Sequence, residues 1–572
     1  MHVPCTYTRI VNLLLPVIAR ERVLVLSTFN DCRAPFTHFL SPPPAAPVRS
    51  HHEIALLRRL SADMMTLVAD ATGTCVLPFV AFTLAAFALA FVVRAVYDVY
   101  FHPLSRIPGP KITACSRLPY VHILLRGDLV RWLHRLHEQY GEVVRIAPDE
   151  VSFISDAWQD IYGVHHGERA AKGSYLKDRR WFAEPYNDTW SILQADAEAH
   201  PRMRKMIAPA FSDKALRDQE SLIQQYVELF VRRLHEQAEG EPKGVVDLVR
   251  WFNFFTFDII ADMTFGESFH CLRDSDYHPW VRMLFHSVRA ISLNSAIRRY
   301  PIFQAMVKRL APKNLLEQRK KFNMFVFDRV GKRLSSEPAH PDLMSHIQKH
   351  KDKPKGLNRD EIDSNANVLL VAGSETTATT LSGCAYLLMS NPEKLKKLTH
   401  EVRTRFDHPS EVTIKAVSSM PYLHAALTEA LRMYPPNAAG FMRIVPGKGD
   451  FIGGHWIPGG TSVSISQWPA NHSTRNFVEP FTFAPERFLG DDRYEKDNRA
   501  ILNPFSFGPR NCLGKSLANV EMRLIMTRLL LDFDMELMDP AQDWMDQKAF
   551  TLWEKLPLMV RLKPVRKYNP PS

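Results

Sequence analysis

Cys512 stands in the run Pro504-Phe505-Ser506-Phe507-Gly508-Pro509-Arg510-Asn511-Cys512-Leu513-Gly514-Lys515-Ser516-Leu517-Ala518, and its neighbours suit a thiolate that binds a metal. Gly508-Pro509 marks a turn. Apolar residues at Leu517, Val520, Leu524 and Leu531 then predict a helix, with Cys512 where it begins. A thiol at a helix N-terminus faces the positive end of the dipole, which favours the thiolate. Arg510 adds fixed positive charge, and Gly514 leaves bare backbone that a flat cofactor can approach. Phe505 can screen the sulfur from water. The competing reading is a buried, inert cysteine, where a lone Cys usually ends.

Three further groupings carry chemistry. Ala372-Gly373-Ser374-Glu375-Thr376-Thr377-Ala378-Thr379-Thr380 lies mid-way along a helix that Asn358 and Glu361 open as a capping pair and that ends near Ser390. One glycine and four threonines weaken a helix locally, so a bulge or side-chain insertion is expected there, with a hydroxyl and a carboxylate beside the opening. The alternative is a polar turn of a surface helix. His200 and Arg204 are four apart and share a helix face, as they would in a solvated basic stripe. Glu429 and Arg432 place opposite charges three apart, a pairing common on helix surfaces.

Phe505, Gly508, Arg510, Cys512 and Gly514 reproduce F-x-x-G-x-R-x-C-x-G, and this loop resembles the haem-ligand loop of the cytochrome P-450 family. The resemblance implies that Cys512 is the axial thiolate of a haem b iron, pushing electron density toward O–O cleavage. It extends over residues 97–565. Ala372-Gly373-Ser374-Glu375-Thr376 matches the family's oxygen-binding motif, which implies Thr376 as the proton-relay alcohol and Glu375 as the acid. The spacing of His200 and Arg204, and the position of Arg443, imply contacts to the haem propionates. Glu429, Arg432 and Arg487, the last in Pro485-Glu486-Arg487-Phe488, would form a structural charge network that leaves no buried charge unpaired. Ala438, Ala439, Gly440, Phe441 and Ala372 are implied in the substrate pocket, with Phe550 of Ala549-Phe550-Thr551-Leu552-Trp553 on a second wall.

These residues need a large scaffold, and 572 residues at 46% hydrophobic content supply one. The net charge of +11 admits nucleic acid, an anionic membrane or an acidic partner. No nucleic-acid module, zinc spacing or C-x-x-C pair occurs, so nucleic acid is excluded as a partner. Seven scattered cysteines read as reduced thiols. Residues 1–63 form an Arg-rich, Lys-free leader: either a mitochondrial presequence or a stretch absent from the mature protein, with translation starting at Met64 or Met65. Residues 64–96 are expected to hold a membrane anchor, because Val76 to Val93 carries no charge and Arg94, Tyr97 and Tyr100 follow as an interfacial belt. Arg106, Lys111 and Arg117 place the following domain, residues 97–572, in the cytosol.

His102-Pro103-Leu104-Ser105-Arg106-Ile107-Pro108-Gly109-Pro110 reads as a stiff linker and resembles the hinge of microsomal family members. Tyr100-Phe101-His102-Pro103-Leu104 resembles filamentous-fungal members. A hairpin is expected from Val143–Ile146 and Glu150–Phe153 around Pro148. The sequons at Asn187 and Asn471 should stay unmodified in a cytosolic domain.

The fold expected is mainly α (α+β), the cytochrome P-450 fold, with a long central helix, a small β region and one N-terminal transmembrane anchor. No Gly-rich nucleotide fingerprint follows a strand, so electrons must come from a separate NADPH-cytochrome P-450 reductase, a cytochrome b-type donor being the alternative. Lys515 either helps dock that partner or is a solvated charge. The resemblance implies a monooxygenase in the endoplasmic reticulum membrane, single-pass, acting on a hydrophobic small molecule of fungal secondary metabolism; a mitochondrial location is the alternative. Two rival functions are a haem-thiolate isomerase or dehydratase needing no external electrons, and a non-catalytic haem-binding sensor. The acid–alcohol pair argues against both, and the anchor argues against the first.

Overall fold

A helix of 31 residues, Arg359–Met389, organises the molecule. It starts where the capping pair places it: Asn358 accepts from the Glu361 N–H, and the Glu361 side chain accepts from the Asn358 N–H. At 1.5 Å per residue it spans about 46 Å. The computed structural model describes residues 80–568 except 183, 241–243, 338–339, 341 and 349–355.

The helix is continuous, with no bulge at Ala372–Thr380. The hydroxyls expected to open it turn back instead onto carbonyls one turn earlier: Ser374 to Leu370 at 2.8 Å, Thr376 to Ala372 at 2.6 Å and Thr379 to Glu375 at 2.7 Å. Gly373 has a packing reason as well. A Cβ there would lie 2.9 Å from Ile260, so the glycine admits helix Leu248–Phe265 against the long helix. That partner is buried at every residue except Arg250, and Gly266 caps it at φ 69°.

The β structure is small and sits to the side of the helices. Val143–Ala147 and Glu150–Phe153 form the expected antiparallel hairpin, with an irregularity between Arg145 and Ala147. Glu150–Phe153 pairs in parallel with Ser462–Ile465, which continues through Arg443–Ile444 to Leu176–Lys177. A three-stranded sheet joins Val245–Asp247, Met559–Pro564 and Phe533–Leu537. Two short hairpins, Gly449–Ile452 with His455–Pro458 and Ala549–Phe550 with Leu552–Trp553, complete the strands among the described residues.

Residues from Phe87 onward form one compact unit. The leader 1–63 and the start of the expected anchor lie outside the described residues. Helix Val80–Phe101 is long and apolar enough to cross a membrane, with mean hydropathy 2.1 and none of its apolar window buried. Its last turn is a π-helical one, Tyr97–Phe101, whose Asp98 is buried and whose Asp98 carbonyl accepts from Arg145 Nη1 at 2.6 Å. Arg117, counted among the flanking charges, is in fact buried against Glu150 and Asp149. Cys115, Cys271, Cys384 and Cys512 are free thiols. Asn471 is buried and donates to the Arg432 carbonyl at 2.9 Å, so that sequon is closed in the fold.

Candidate haem site

Helix Lys515–Asp532 begins three residues after Cys512, later than the sequence pattern placed it. Cys512 therefore sits in the loop just ahead of the helix, its N–H donating to the Phe505 carbonyl at 2.8 Å. A 3-10 turn, Gly508–Arg510, shapes the loop. Gly508 has φ 71°, and a Cβ on it would lie 2.0 Å from the Tyr162 carbonyl oxygen, so only glycine lets the loop seat on helix Trp158–Tyr162. At Gly514 the nearest atom to an added Cβ is Phe211, 4.0 Å away, so the backbone beside the sulfur is bare.

The Cys512 side chain is exposed. Enough protein surrounds the sulfur that burial raises its thiol above the ordinary range, while the Gly514 N–H, Arg204 and Lys515 act the other way. The free thiol is thus less acidic than the helix-dipole argument predicts, and an incoming cation must displace its proton. Phe505 is half-buried, with Lys515 Nζ 5.8 Å from its ring centre.

Next to this loop lies a concentration of basic side chains. His200 and Arg204 come from helix Ala199–Ile207. Arg204 donates to the Asn511 carbonyl at 2.8 Å and to Asn511 Oδ1 at 2.6 Å; Arg510 donates to the Ala195 and Asp196 carbonyls, both at 2.7 Å. Arg443 is buried on its strand with Nε and Nη1 unpartnered, and burial followed by repulsion from Arg510 lowers it to about 10. His200 is lowered to about 3, by burial first and then by Arg510, Arg204, Arg443 and Lys177, all of them cations.

Lys177 has no motif around it, and the sequence pattern missed it. It enters the cluster because Leu176–Lys177 pairs with Arg443–Ile444, opposing Lys177 to Arg443. Its ammonium is buried 4.0 Å from the Phe441 ring centre, and burial, Arg443 and Arg510 push it well below the ordinary lysine range.

Such a set is costly without an anion among it. Buried unpartnered guanidinium nitrogens, a thiol and bare glycine backbone fit a flat, dianionic, metal-bearing group. Haem, with two propionates and an iron, has that chemistry.

Behind the loop, Glu429, Arg432 and Arg487 are wholly buried together. Glu429 Oε2 accepts from Arg432 Nε at 2.7 Å and Oε1 from Arg487 Nε at 3.1 Å. Asp497 is a fourth member, accepting from Arg487 Nη1 at 2.8 Å. Arg432 also donates to the Asn471 and Pro480 carbonyls, at 2.7 Å and 2.6 Å, so these charges are paired and hydrogen-bonded.

On the long helix Ala372 is exposed and Thr376, one turn on, is half-buried, although the adjoining Ser374 and Glu375 are buried. Thr377 bonds Glu521 of the helix that follows Cys512, which ties the Thr376 turn to the cysteine helix. Of the residues implied in the pocket, Ala438, Ala439, Gly440 and Phe550 are buried and Phe441 is half-buried. Gly440 has φ 81° and sits where a Cβ would be 2.1 Å from the Ile465 carbonyl oxygen.

The cytochrome P450 family profile matches residues 114–561. The cytochrome P450 monooxygenase lcsI of Purpureocillium lilacinum is 79% identical over 490 residues, covering 85% of this chain and 95% of that protein. The cytochrome P450 monooxygenase astA of Talaromyces wortmannii is 43% identical over 84% of this chain and 96% of its own. The averantin hydroxylase of Dothistroma septosporum is 41% identical over 82% of this chain and 88% of its own. The chain therefore belongs to the cytochrome P450 family of haem-thiolate, oxygen-incorporating oxidoreductases.

Proposed function

We propose that this protein is a membrane-anchored monooxygenase that places one oxygen atom of dioxygen into a hydrophobic small molecule of fungal secondary metabolism. The second oxygen leaves as water, and a separate NADPH-dependent reductase supplies the electrons. The observation that carries the reading is the Cys512 loop seated beside the cluster of His200, Arg204, Arg443, Arg510 and Lys177. Relatives named as monooxygenases of fungi support it. The apolar helix Val80–Phe101 supports attachment to the endoplasmic reticulum membrane with the larger unit in the cytosol.

When bound, haem supplies the activation of dioxygen and the oxidising power. The chain's residues do the rest. Cys512 supplies the thiolate; His200, Arg204, Arg443, Arg510 and Lys177 hold the propionates. Glu429, Arg432, Arg487 and Asp497 fix the loop from behind and do no chemistry. Ala372, Phe441 and the tail hairpin around Phe550 shape the pocket. Thr376 serves as the relay alcohol. Its hydroxyl donates to the Ala372 carbonyl at 2.6 Å, and rotation about its Cβ–Oγ1 bond re-aims that donor toward the accessible face of the helix. Glu375 is the acid behind it.

Reductase-coupled enzyme incubated under isotopically labelled dioxygen, with an extract of a strain lacking the gene, tests the reading. It predicts NADPH-dependent appearance of a product carrying one labelled oxygen. Conversion that proceeds without NADPH and without label would establish an isomerase or dehydratase instead.

A further inference from the structure

Four oxidisable rings run in line from the pocket wall to the surface. Trp553, on strand Leu552–Trp553 of the tail hairpin, stacks on Tyr434 with ring centres 4.9 Å apart and planes 20° from parallel. Tyr434 meets Trp544 at 5.4 Å, and Trp544 meets Tyr386 at 5.4 Å. The first three are buried and Tyr386 is half-buried, so the line ends where solvent reaches it.

The inner end lies by the site. Trp553 pairs across the hairpin with Ala549, next to Phe550, and its indole N–H donates to the Pro435 carbonyl at 2.9 Å. Tyr434 ends helix Pro421–Met433, which carries Glu429 and Arg432. A Cβ on Gly383 would lie 2.6 Å from the Tyr434 ring, so that glycine lets the phenol press on the long helix. Gly383 is seven residues beyond Thr376, about 10 Å along the axis.

Packing alone does not ask for these residue types. Buried Trp and Tyr each bring a polar hydrogen that must find a partner, and phenylalanine does not. Helix Leu248–Phe265 accordingly fills the core with Phe252, Phe254, Phe255 and Phe257. Along the line every polar hydrogen is provided for: Trp544 donates to the Leu556 carbonyl at 2.9 Å, Tyr434 to Gln547 Oε1 at 2.5 Å and Tyr386 to the Gln542 carbonyl at 3.4 Å. What indoles and phenols add is an electron that a strong oxidant removes. Gln547 is a neutral amide, too weak a base to take a proton, so Tyr434 keeps its own and serves as the bridge between two indoles. Tyr386 can release its proton to water.

We propose that Trp553, Tyr434, Trp544 and Tyr386 form an electron path that discharges the oxidised cofactor when no substrate is in reach. This rests on the haem-monooxygenase reading given above. With the pocket empty, Trp553 supplies one electron to the oxidised cofactor. Trp544 refills Trp553 across the Tyr434 ring, and Tyr386 refills Trp544, losing its phenolic proton to solvent. A small soluble thiol, RSH, then returns a hydrogen atom to the Tyr386 oxygen and becomes RS•. Two passes remove two oxidising equivalents and join two RS• as one disulfide, RSSR.

Substrate-free holoenzyme mixed with a peracid, rapidly frozen and read by electron paramagnetic resonance tests the path. The parent should show a tyrosyl radical whose signal narrows when the protein carries ring-deuterated tyrosine. Tyr386→Phe removes only a half-buried hydroxyl and should replace that signal by a tryptophanyl one; Trp544→Phe should lose the tyrosyl signal too. With glutathione, reductase and NADPH but no substrate, the parent should complete several-fold more turnovers than Tyr386→Phe before its haem bleaches, forming one glutathione disulfide per two electrons discharged. A parent without a protein radical, the same tyrosyl signal in Tyr386→Phe, or equal survival of the two would overturn the proposal and leave the rings as core packing. Labelled-oxygen product formed by a radical-free parent would sink the path alone, whereas a parent that forms no such product sinks the reading beneath it.

Discussion

At the scale of single residues, the proposed proton relay rests on hydroxyl and carboxyl groups of the long helix. Thr376→Ala removes the relay alcohol and leaves the cation cluster and the cysteine loop untouched. It should still bind haem and draw electrons. Acid–base assistance contributes about 10²–10⁴-fold, which a replacement water can partly restore. The expected sign is therefore uncoupling: NADPH consumed, peroxide released and oxygenated product lowered together, with Thr376→Ser recovering much of the loss. Unchanged product per NADPH would place the proton path elsewhere. Glu521 gives a second test. Burial pushes its carboxyl from 4.5 up to about 8, against the hydrogen bond from Thr377. Its neutral form then contributes stability that is full below about pH 4.5 and is lost as pH rises to about 8. Glu521→Gln should erase that slope, so its melting temperature relative to the parent should climb from about pH 5 to about pH 8. A pH-independent difference would show that Glu521 is not held neutral.

At the scale of elements, what could be read from the sequence was what is local. The capping pair Asn358–Glu361 and the hairpin around Pro148 each lie within a few residues, and the structure places both where expected; the helix after the cysteine loop starts at Lys515, three residues later than its pattern placed it. Residues whose part depends on distant partners were not legible. Lys177 needs its strand pairing with Arg443, and Lys555 meets Glu375 across 180 residues. Gly373 was read as a weak point, since propensity argues that way for an isolated helix; packing against Ile260 gives it a different purpose. The anchor helix carries the prediction at this scale. Removing residues 1–93 should release the protein from membranes with haem binding retained, as judged by sedimentation. Persistence in the membrane fraction would move the attachment to another surface, such as the exposed Ile302, Met306 and Leu310 of helix Pro301–Leu310. Cutting on through Phe101 should cost about 1–3 kcal/mol more, because buried Arg145 then loses the Asp98 carbonyl.

At the scale of the whole molecule, helix Ala199–Ile207, the small sheet and the cysteine loop converge on one site. They bring together His200, Arg443, Arg510 and Cys512, of which the first and last are more than 300 residues apart in sequence. The wholly buried Glu429–Arg432–Arg487 network stiffens that convergence, and removing one partner of such a network typically costs about 3–5 kcal/mol. Everything in the account depends on Cys512 being the haem ligand. The most direct measurement is the absorption spectrum of the reduced, carbon monoxide-treated protein beside that of Cys512→Ala, with circular dichroism confirming that both are folded. One haem per chain and the strongly red-shifted Soret band of thiolate ligation are expected in the parent, with that band absent from the variant. The same red-shifted band in folded Cys512→Ala would contradict it.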